Sequence, residues 1–155
     1  MNKIVKPILC ISIPILVGTL SGIATASGVK GWFQTINKPG FNPPNYVFGP
    51  VWTILYILMG ISFYMVMQSP NTKTKKYAVA IFLVQLLLNF CWSLLFFKFK
   101  FIGTAFIDII LIWLSIIFMI YIFYKINKRA AWLQVPYLLW VSFASILNAA
   151  IWWLN

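Results

Sequence analysis

Ile102 to Tyr124 reads IGTAFIDIILIWLSIIFMIYIFY, an apolar run in which Asp108 is the only charged side chain. A helix needs about 20 apolar residues to cross the hydrocarbon core of a bilayer, and this run is long enough to do so. Its apolar residues follow one another instead of alternating with polar ones, which favours a helix over a strand of a membrane barrel. The run therefore predicts a transmembrane helix.

The chain as a whole has the composition of a membrane protein. Its 155 residues are 63% hydrophobic and 8% charged, with a mean hydropathy of +0.93. This composition leaves too little polar surface to cover a water-soluble globule. We predict an all-α integral membrane protein, a bundle of five transmembrane helices with a structured first loop, in one domain over residues 1–155. The predicted helices are 4–26, 46–68, 77–97, 102–124 and 131–153.

The first apolar run has a second interpretation. Lys3 and Lys6 precede it, and the small residues Ala24, Thr25 and Ala26 end it, as in a secretory signal peptide. Signal peptides carry apolar cores of about 7 to 15 residues, and this run is longer. We therefore favour a retained helix.

The first loop, residues 27–45, is the only long connection between the predicted helices. It is rich in aromatic and proline residues, namely Trp32, Phe33, Pro39, Phe41, Pro43 and Pro44. Such a segment is too apolar and too stiff for a flexible linker. We expect it to form a folded lid.

Charge is distributed unequally along the chain. Twelve Lys and Arg residues stand against one acid, which gives a formal net charge of +11. The basic residues lie in short clusters between apolar runs, so they indicate contact with lipid headgroups and not with nucleic acid. Eight of them fall on the amino terminus, second loop and fourth loop, and four on the other side. The positive-inside rule then predicts a multi-pass protein of the cell membrane with a cytoplasmic amino terminus, and with the first loop and carboxyl terminus outside.

Several kinds of catalytic site lack their residues. The sequence has no His, no Glu, no glycine-rich phosphate loop and no cluster of cysteines, since Cys10 and Cys91 lie in separate apolar runs. Conventional hydrolysis, phosphoryl transfer and metal catalysis are therefore not expected, and we predict no metal site.

Aromatic residues are the remaining candidates for function. Phe48, Trp52 and Tyr56 recur every four residues, which places them on one face of the second helix. A similar face on the fifth helix comprises Tyr137, Trp140, Ala144, Leu147, Asn148 and Ile151. If the two faces meet, they form a flat slot with aromatic walls. Ordinary packing between helices, or contact with lipid, is the alternative.

Polar and small residues mark further helix faces. Gln85, Asn89 and Ser93 form a polar strip on the third helix that should face the bundle interior, with interhelical hydrogen bonding as its expected role. Gly18 and Gly22 form a GxxxG motif, which allows close approach either of a second chain or of a helix in the same chain.

Asp108 is the only acid of the sequence and falls within the fourth apolar run. An ionisable group inside a membrane helix is a candidate for function. We favour a structural pairing with Lys98 or Lys100.

The motifs of the chain closely resemble one membrane protein family. The resemblance rests on Trp32, Pro43-Pro44, the run Val47-Phe48-Gly49-Pro50-Val51-Trp52-Thr53, Gln85, Leu88-Asn89, Trp92-Ser93, Pro136-Tyr137-Leu138, Trp140 and Leu147-Asn148. On these residues the chain resembles the TspO/MBR family of translocator proteins and tryptophan-rich sensory proteins. The resemblance covers almost the whole sequence.

This resemblance implies five helices, a homodimer and a ligand pocket under the first loop. Members of the family bind porphyrins such as protoporphyrin IX and small aromatic ligands of the isoquinoline or benzodiazepine type. The ligand-binding positions that it implies here are Trp32, Pro43, Pro44, Trp52, Asn89, Trp140, Ala144 and Leu147. Phe48 and Tyr56 of the aromatic stripe complete the predicted site.

Some family members also bind cholesterol. The segment that would carry their sterol motif, residues 147–155, has no Tyr, Lys or Arg, which argues against sterol binding.

The aromatic slot and the resemblance lead to the same functional hypothesis. We predict no covalently bound cofactor, and protoporphyrin IX as ligand and substrate, with Lys30 or Lys38 receiving a propionate. Trp52 and Trp140 are the predicted catalytic residues, because their electron-rich indoles would lie beside a light-excited porphyrin. Transport of porphyrins and ligand-dependent sensing are the alternatives, since one pocket can serve all three.

Overall fold

The computed structural model describes residues 4–155 and, over that range, consists of helices and their connections. The α-helices are α1 Val5–Lys30, α2 Trp32–Thr35, α3 Asn45–Met67, α4 Lys73–Ser93, α5 Ile102–Ile126, α6 Lys128–Trp132 and α7 Val135–Leu154. A π-helical turn, Leu94–Lys98, continues α4. Five segments are long and apolar enough to cross a membrane: Val5–Lys30, Asn45–Met67, Lys73–Lys98, Ile102–Ile126 and Lys128–Leu154. The predicted fold class is confirmed. Lys3, which entered the charge count, lies outside the described residues.

Three helix boundaries differ from the prediction: α1 continues to Lys30 and not to residue 26, and the other two differences follow from local capping. The third span begins at Lys73 and not at residue 77, since the Thr72 side chain accepts a hydrogen bond from the Lys75 amide and caps the helix. The fifth predicted helix, 131–153, is two helices in the structure. Asn127 caps α6, and Pro136 occupies the first turn of α7, where its missing N–H is tolerated.

The short helix α6 is anchored to the bundle by polar contact. The Ser62 hydroxyl of α3 donates a hydrogen bond of 2.7 Å to the carbonyl of Ala130, and both residues are fully buried. This contact holds α6 against α3.

Helices α1 and α3 approach each other closely at two glycines. A Cβ atom on Gly60 would lie 2.5 Å from the Ile11 Cα atom, and one on Gly18 would collide with the Tyr56 ring. Gly18 of the GxxxG motif therefore serves packing within one chain. A Cβ atom on Gly22 would meet nothing within 4 Å, so the two helices have separated there. Association of two chains stays a prediction.

The end of the bundle away from the first loop is solidly packed. Phe63 and Phe82 stack at 4.0 Å between ring centroids, and Met59, Met119 and Phe123 beside them are fully buried. The opposite face of α5 is apolar but exposed, through Ile107, Leu111, Leu114 and Phe118. This outward face is the surface that lipid would cover.

The Gly60 contact yields a stability prediction. Gly60→Ala should lower the thermal stability of the purified protein, because the added methyl group meets backbone atoms that cannot rotate away; overpacking of this kind typically costs about 1–3 kcal/mol. Gly49→Ala is the matched control in the same helix, since its Cβ atom meets nothing within 4 Å. The control should be neutral or stabilising, because alanine favours helices over glycine. Equal melting temperatures for the two variants would contradict the packing.

Candidate functional site

A cavity of about 540 Å³ lies beneath the first loop, between α1, α3, α7 and the end of α4. Ligand pockets in proteins typically measure about 300–1,000 Å³ and are mostly apolar, and this one fits both descriptions. The cavity begins where α1 and α3 separate above the contact of Gly18 with Tyr56.

The α1 and α3 sides of the cavity are lined partly by small residues. Gly22 and Thr19 of α1 line it opposite Gly49 and Thr53 of α3, and all four are exposed at the protein surface. The described residues therefore leave the cavity open along the gap between these two helices, where lipid would border it in a bilayer.

Aromatic rings from α3 and α7 form the main wall. Trp52 stacks on Tyr56 with ring centroids 5.6 Å apart and an interplanar angle of 27°. Phe48 meets Trp140 edge to face at 5.9 Å, so the α3 stripe and the α7 face are in contact. All four of these side chains line the cavity. The two faces predicted from helical periodicity do face one another.

A second aromatic wall comes from the π-helical turn. Trp92 stacks on Phe96 at 5.4 Å, and Phe97 meets Phe96 at 4.8 Å. The wider π turn shifts the register of the helix face, which is a recurrent feature of functional sites in helices. Gly28 makes room for this turn, because a Cβ atom there would collide with the Phe97 carbonyl.

A buried hydrogen-bond chain supports the cavity floor. The Tyr56 hydroxyl donates to Asn89 Oδ1 at 2.7 Å, Asn89 Nδ2 donates to the Tyr137 hydroxyl at 3.1 Å, and that hydroxyl donates to Gln85 Oε1 at 2.8 Å. Three helices are thereby joined by side chains that are all nearly or fully buried. The polar strip of α4 faces the bundle interior, as predicted, and Asn89 lies behind Tyr56 instead of lining the cavity.

The first loop covers the cavity with a buried aromatic side chain. Phe33 of α2 lines the cavity and packs against Phe96 at 6.0 Å and Phe97 at 5.3 Å. The Phe41 ring meets Phe143 of α7 at 6.4 Å. The loop is thus folded, as its composition predicts.

Paired amide contacts hold the loop to the end of α7. The Asn37 amide nitrogen donates to Asn155 Oδ1 at 3.0 Å, and Asn155 Nδ2 donates back to the Asn37 carbonyl at 2.9 Å. The Asn37 side chain adds a bond of 3.3 Å to the Leu154 carbonyl. We call this set of contacts the Asn37–Asn155 latch.

The basic side chains near the first loop and the Trp140 indole nitrogen differ in their access to the cavity. Lys30 lines the cavity, whereas Lys38 lies elsewhere, with its Nζ atom bonded to the Ile36 carbonyl at 3.2 Å and over the Phe33 ring at 4.9 Å. The buried indole Nε1 atom of Trp140 has no hydrogen-bond partner within residues 4–155. A buried donor without a partner costs about 1–3 kcal/mol, and because protein atoms cover this nitrogen it does not face the open space of the cavity.

The predicted site residues divide into two groups. Those that line the cavity are Phe48, Trp52, Tyr56, Trp140, Ala144 and Leu147. Those that do not are Trp32, Pro43, Pro44 and Asn89. The two prolines lie in the loop that leads into α3, and Trp32 points to Phe96 from outside at 5.8 Å.

Sequence reasoning did not assign Phe33, Trp92, Phe96 and Phe97 to the site. Helical periodicity could not find Phe33, Phe96 and Phe97, because the loop and the π turn interrupt it. Trp92 lies in the regular helix α4, three residues after Asn89, so periodicity could have placed it beside the polar strip. The density of aromatic residues in these two segments was the available signal.

Asp108 does not form the expected ion pair. Its Oδ2 atom is buried without a hydrogen-bond partner, and no salt bridge joins it to Lys98 or Lys100 in the described part of the chain. The physical reason is position: Asp108 faces the bundle from α5, whereas both lysines are exposed. Asn148 of the α7 face accepts a hydrogen bond from Trp92 Nε1 at 3.0 Å and donates one to the Ile102 carbonyl at 3.1 Å.

Comparison with known proteins agrees with this architecture. Residues 10–154 match the model of the TspO/MBR family. A tryptophan-rich protein TspO of Chlorobaculum tepidum is 40% identical over 157 aligned residues, which cover 100% of this chain and 99% of that protein. A second one, of Archaeoglobus fulgidus, is 39% identical over 99% of this chain and 97% of its own length.

Similarity extends to animal proteins. The translocator protein of Homo sapiens is 35% identical over 123 residues, which cover 78% of this chain and 73% of that protein. With its five apolar spans and a family match over nearly its full length, this chain is a multi-pass membrane protein and belongs to the TspO/MBR family.

Proposed function

We propose that this protein binds porphyrins such as protoporphyrin IX in the aromatic cavity and promotes their light-dependent oxidative degradation. The observation that carries the proposal is the pairing of a cavity of about 540 Å³ with walls built from two indole-bearing helix faces. Small aromatic ligands of the isoquinoline or benzodiazepine type are expected to compete for the same space.

The shape of the walls suits a flat ligand. Trp52 and Trp140 enter from different helices, and Phe48, on the same helix as Trp52, meets the Trp140 ring edge to face at 5.9 Å. Aromatic rings prefer offset-stacked or edge-to-face partners, each worth about 0.5–1.5 kcal/mol beyond burial. A planar macrocycle offers a large surface for both arrangements.

The charge of the cavity suits a ligand with carboxylates at one edge. Lys30 is the cation of the lining and lies at the end of α1 beside the first loop. It is exposed, so an ion pair with a propionate would add less than about 1 kcal/mol. Its role is orientation of the ligand more than affinity.

The proposed chemistry uses light and dioxygen. The excited ring takes one electron from the indole of Trp52 or Trp140, and the reduced ring adds dioxygen at one carbon of a double bond. The indole radical cation takes the electron back as the second oxygen bonds to the neighbouring carbon; the bond between the two carbons then breaks and two carbonyl groups form, so no further oxidant or reductant is required. The protein supplies the indoles, the orientation and the containment, as it does for cofactors.

Titration with protoporphyrin IX tests binding and turnover together. We expect saturable binding to the purified protein in detergent, a stable spectrum in darkness, and loss of porphyrin absorbance under light. In the double variant that carries both Trp52→Phe and Trp140→Phe, porphyrin binding should weaken. The light-dependent loss of absorbance per bound porphyrin should fall at least several-fold, because the electron-rich indoles are absent.

The matched control is Trp132→Phe, Trp153→Phe. These two tryptophans are 68% and 91% exposed and lie outside the cavity. The control should behave as the unchanged protein. Photodegradation that persists equally in both double variants would contradict the catalytic assignment, and photostable bound porphyrin would contradict the degradation itself while leaving binding intact.

The Asn37–Asn155 latch predicts how fast a ligand leaves. Asn155→Ala removes both amide contacts between the loop and the end of α7, so the dissociation rate of protoporphyrin IX should rise about fivefold, the equivalent of about 1 kcal/mol. Asn71→Ala, in the exposed loop before α4, is the control. Stopped-flow displacement by an excess of competitor measures the rate. An unchanged rate would mean that the ligand leaves through the gap between α1 and α3.

Transport is an alternative, and the packing argues against it. A transported porphyrin would have to pass the hydrogen-bonded floor and then the stacked Phe63 and Phe82. We expect no uptake of protoporphyrin IX into proteoliposomes above that of empty vesicles. Concentration-dependent uptake that the Trp52→Phe, Trp140→Phe variant abolishes would favour transport instead.

A further inference from the structure

A second depression lies at the far end of the bundle from the cavity. It measures about 360 Å³ and runs between the first turns of α4 and the last turns of α5. Its lining is Thr74 and Tyr77 of α4 with Phe118, Tyr121, Ile122 and Lys125 of α5. None of these residues belongs to the porphyrin cavity. We call this depression the α4–α5 groove.

The groove is apolar toward the bilayer and polar at its outer end. Phe118 is 53% exposed and lies about two helical turns before Lys125, or about 10 Å along the axis. Tyr77 and Tyr121 are 65% and 56% exposed between these two levels. Amphipathic aromatic rings of this kind lie at the boundary of hydrocarbon and headgroups. The groove therefore spans the depth from acyl chains to phosphates.

The charge at the outer end has no hydrogen-bond acceptor among residues 4–155. The Lys125 ammonium lies over the Tyr121 ring at 4.2 Å and donates no hydrogen bond within residues 4–155. Lys6 and Lys75 at the same end are engaged, since both donate to the Met67 carbonyl at 2.8 Å. Asp108 is the only acid of the sequence and lies about 25 Å from Lys125 along α5. An anion brought to Lys125 meets no negative charge from the protein.

We propose that the α4–α5 groove binds one anionic phospholipid of the surrounding bilayer. The phosphate lies at Lys125 and the hydroxyl of Thr74, and one acyl chain lies over Phe118, Tyr77 and Tyr121. A lipid with a choline headgroup would bring a second cation to Lys125, so a net negative headgroup is preferred. Basic pockets between membrane helices recognise anionic headgroups in this way.

Native mass spectrometry of the full-length protein tests the site. Phosphatidylglycerol and phosphatidylcholine with the same acyl chains are titrated separately into the detergent-solubilised protein, and bound lipids are counted. We expect the first phosphatidylglycerol to bind about tenfold more tightly than the first phosphatidylcholine. Lys125→Gln should remove most of that preference, and Lys125→Arg should retain it.

Lys128→Gln is the matched control. Lys128 lies at the same end of the bundle and also over a tyrosine, at 5.4 Å from the ring centroid of Tyr124, but outside the groove. The Lys128→Gln substitution removes the same charge and should leave the preference for phosphatidylglycerol over phosphatidylcholine unchanged. Equal losses for Lys125→Gln and Lys128→Gln would overturn the proposal in favour of a diffuse charge effect, and so would equal affinities of the unchanged protein for the two lipids.

A variant of the apolar part gives an independent readout. Phe118→Ala should lower the affinity for the first phosphatidylglycerol several-fold. The melting temperature should stay unchanged, because the ring is exposed and not part of the core. Retained affinity in this variant would contradict the position of the acyl chain. Protoporphyrin IX binding should be unaffected by all of these variants, since the groove and the cavity lie at opposite ends of the bundle.

Discussion

The hydrogen bonds among Tyr56, Asn89, Tyr137 and Gln85 are the interaction on which the rest of the structure depends. Water is absent from the bilayer core, so each of these polar groups must find its partner within the protein. Interhelical bonds of this kind contribute on average about 0.6 kcal/mol each, but their geometry specifies which helix faces meet. These hydrogen bonds link α3, α4 and α7 at one level of the bundle. They therefore separate a packed half of the bundle from a half that holds a cavity.

The cavity walls follow from that anchoring. Trp52 stacks on Tyr56 and meets Tyr137 edge to face at 6.2 Å, so two members of the hydrogen-bond chain position one indole of the proposed site. On the side of the cavity formed by α4, the Trp92 Nε1 atom donates a hydrogen bond to Asn148, which orients the Trp92 ring. Polar side chains therefore orient the aromatic ones, and the aromatic ones form the surface that a ligand would contact. The family shows what kind of protein this is, and these contacts show how this chain builds its site.

Much of this architecture could be predicted from the sequence, and the exceptions have physical causes. Five apolar runs predict five spans, since the thickness of the bilayer sets a length that is easily read. The spacing of Phe48, Trp52 and Tyr56 predicts their common face, because a regular helix preserves it. Periodicity fails at the π turn and in the first loop, where the chain departs from the regular helix, and Phe97 and Phe33 enter the cavity there. Pro136 is a local signal for the break between α6 and α7, whereas the contact of Ser62 with Ala130 depends on tertiary packing that no local pattern encodes.

The gap lined by Gly22, Thr19, Gly49 and Thr53 would change what the concentration of the proposed ligand means, because in a bilayer the gap would face lipid. A cavity that borders on lipid equilibrates with solute dissolved in the bilayer, so occupancy is governed by the mole fraction of the ligand among the lipids. A macrocycle that partitions strongly into membranes can then fill the site although its aqueous concentration is very low. The same partitioning makes the apparent affinity for the ligand depend on the volume of the lipid or detergent phase. The intrinsic preference of the cavity is the free energy of binding the ligand from water minus the free energy of transferring the ligand from water into lipid.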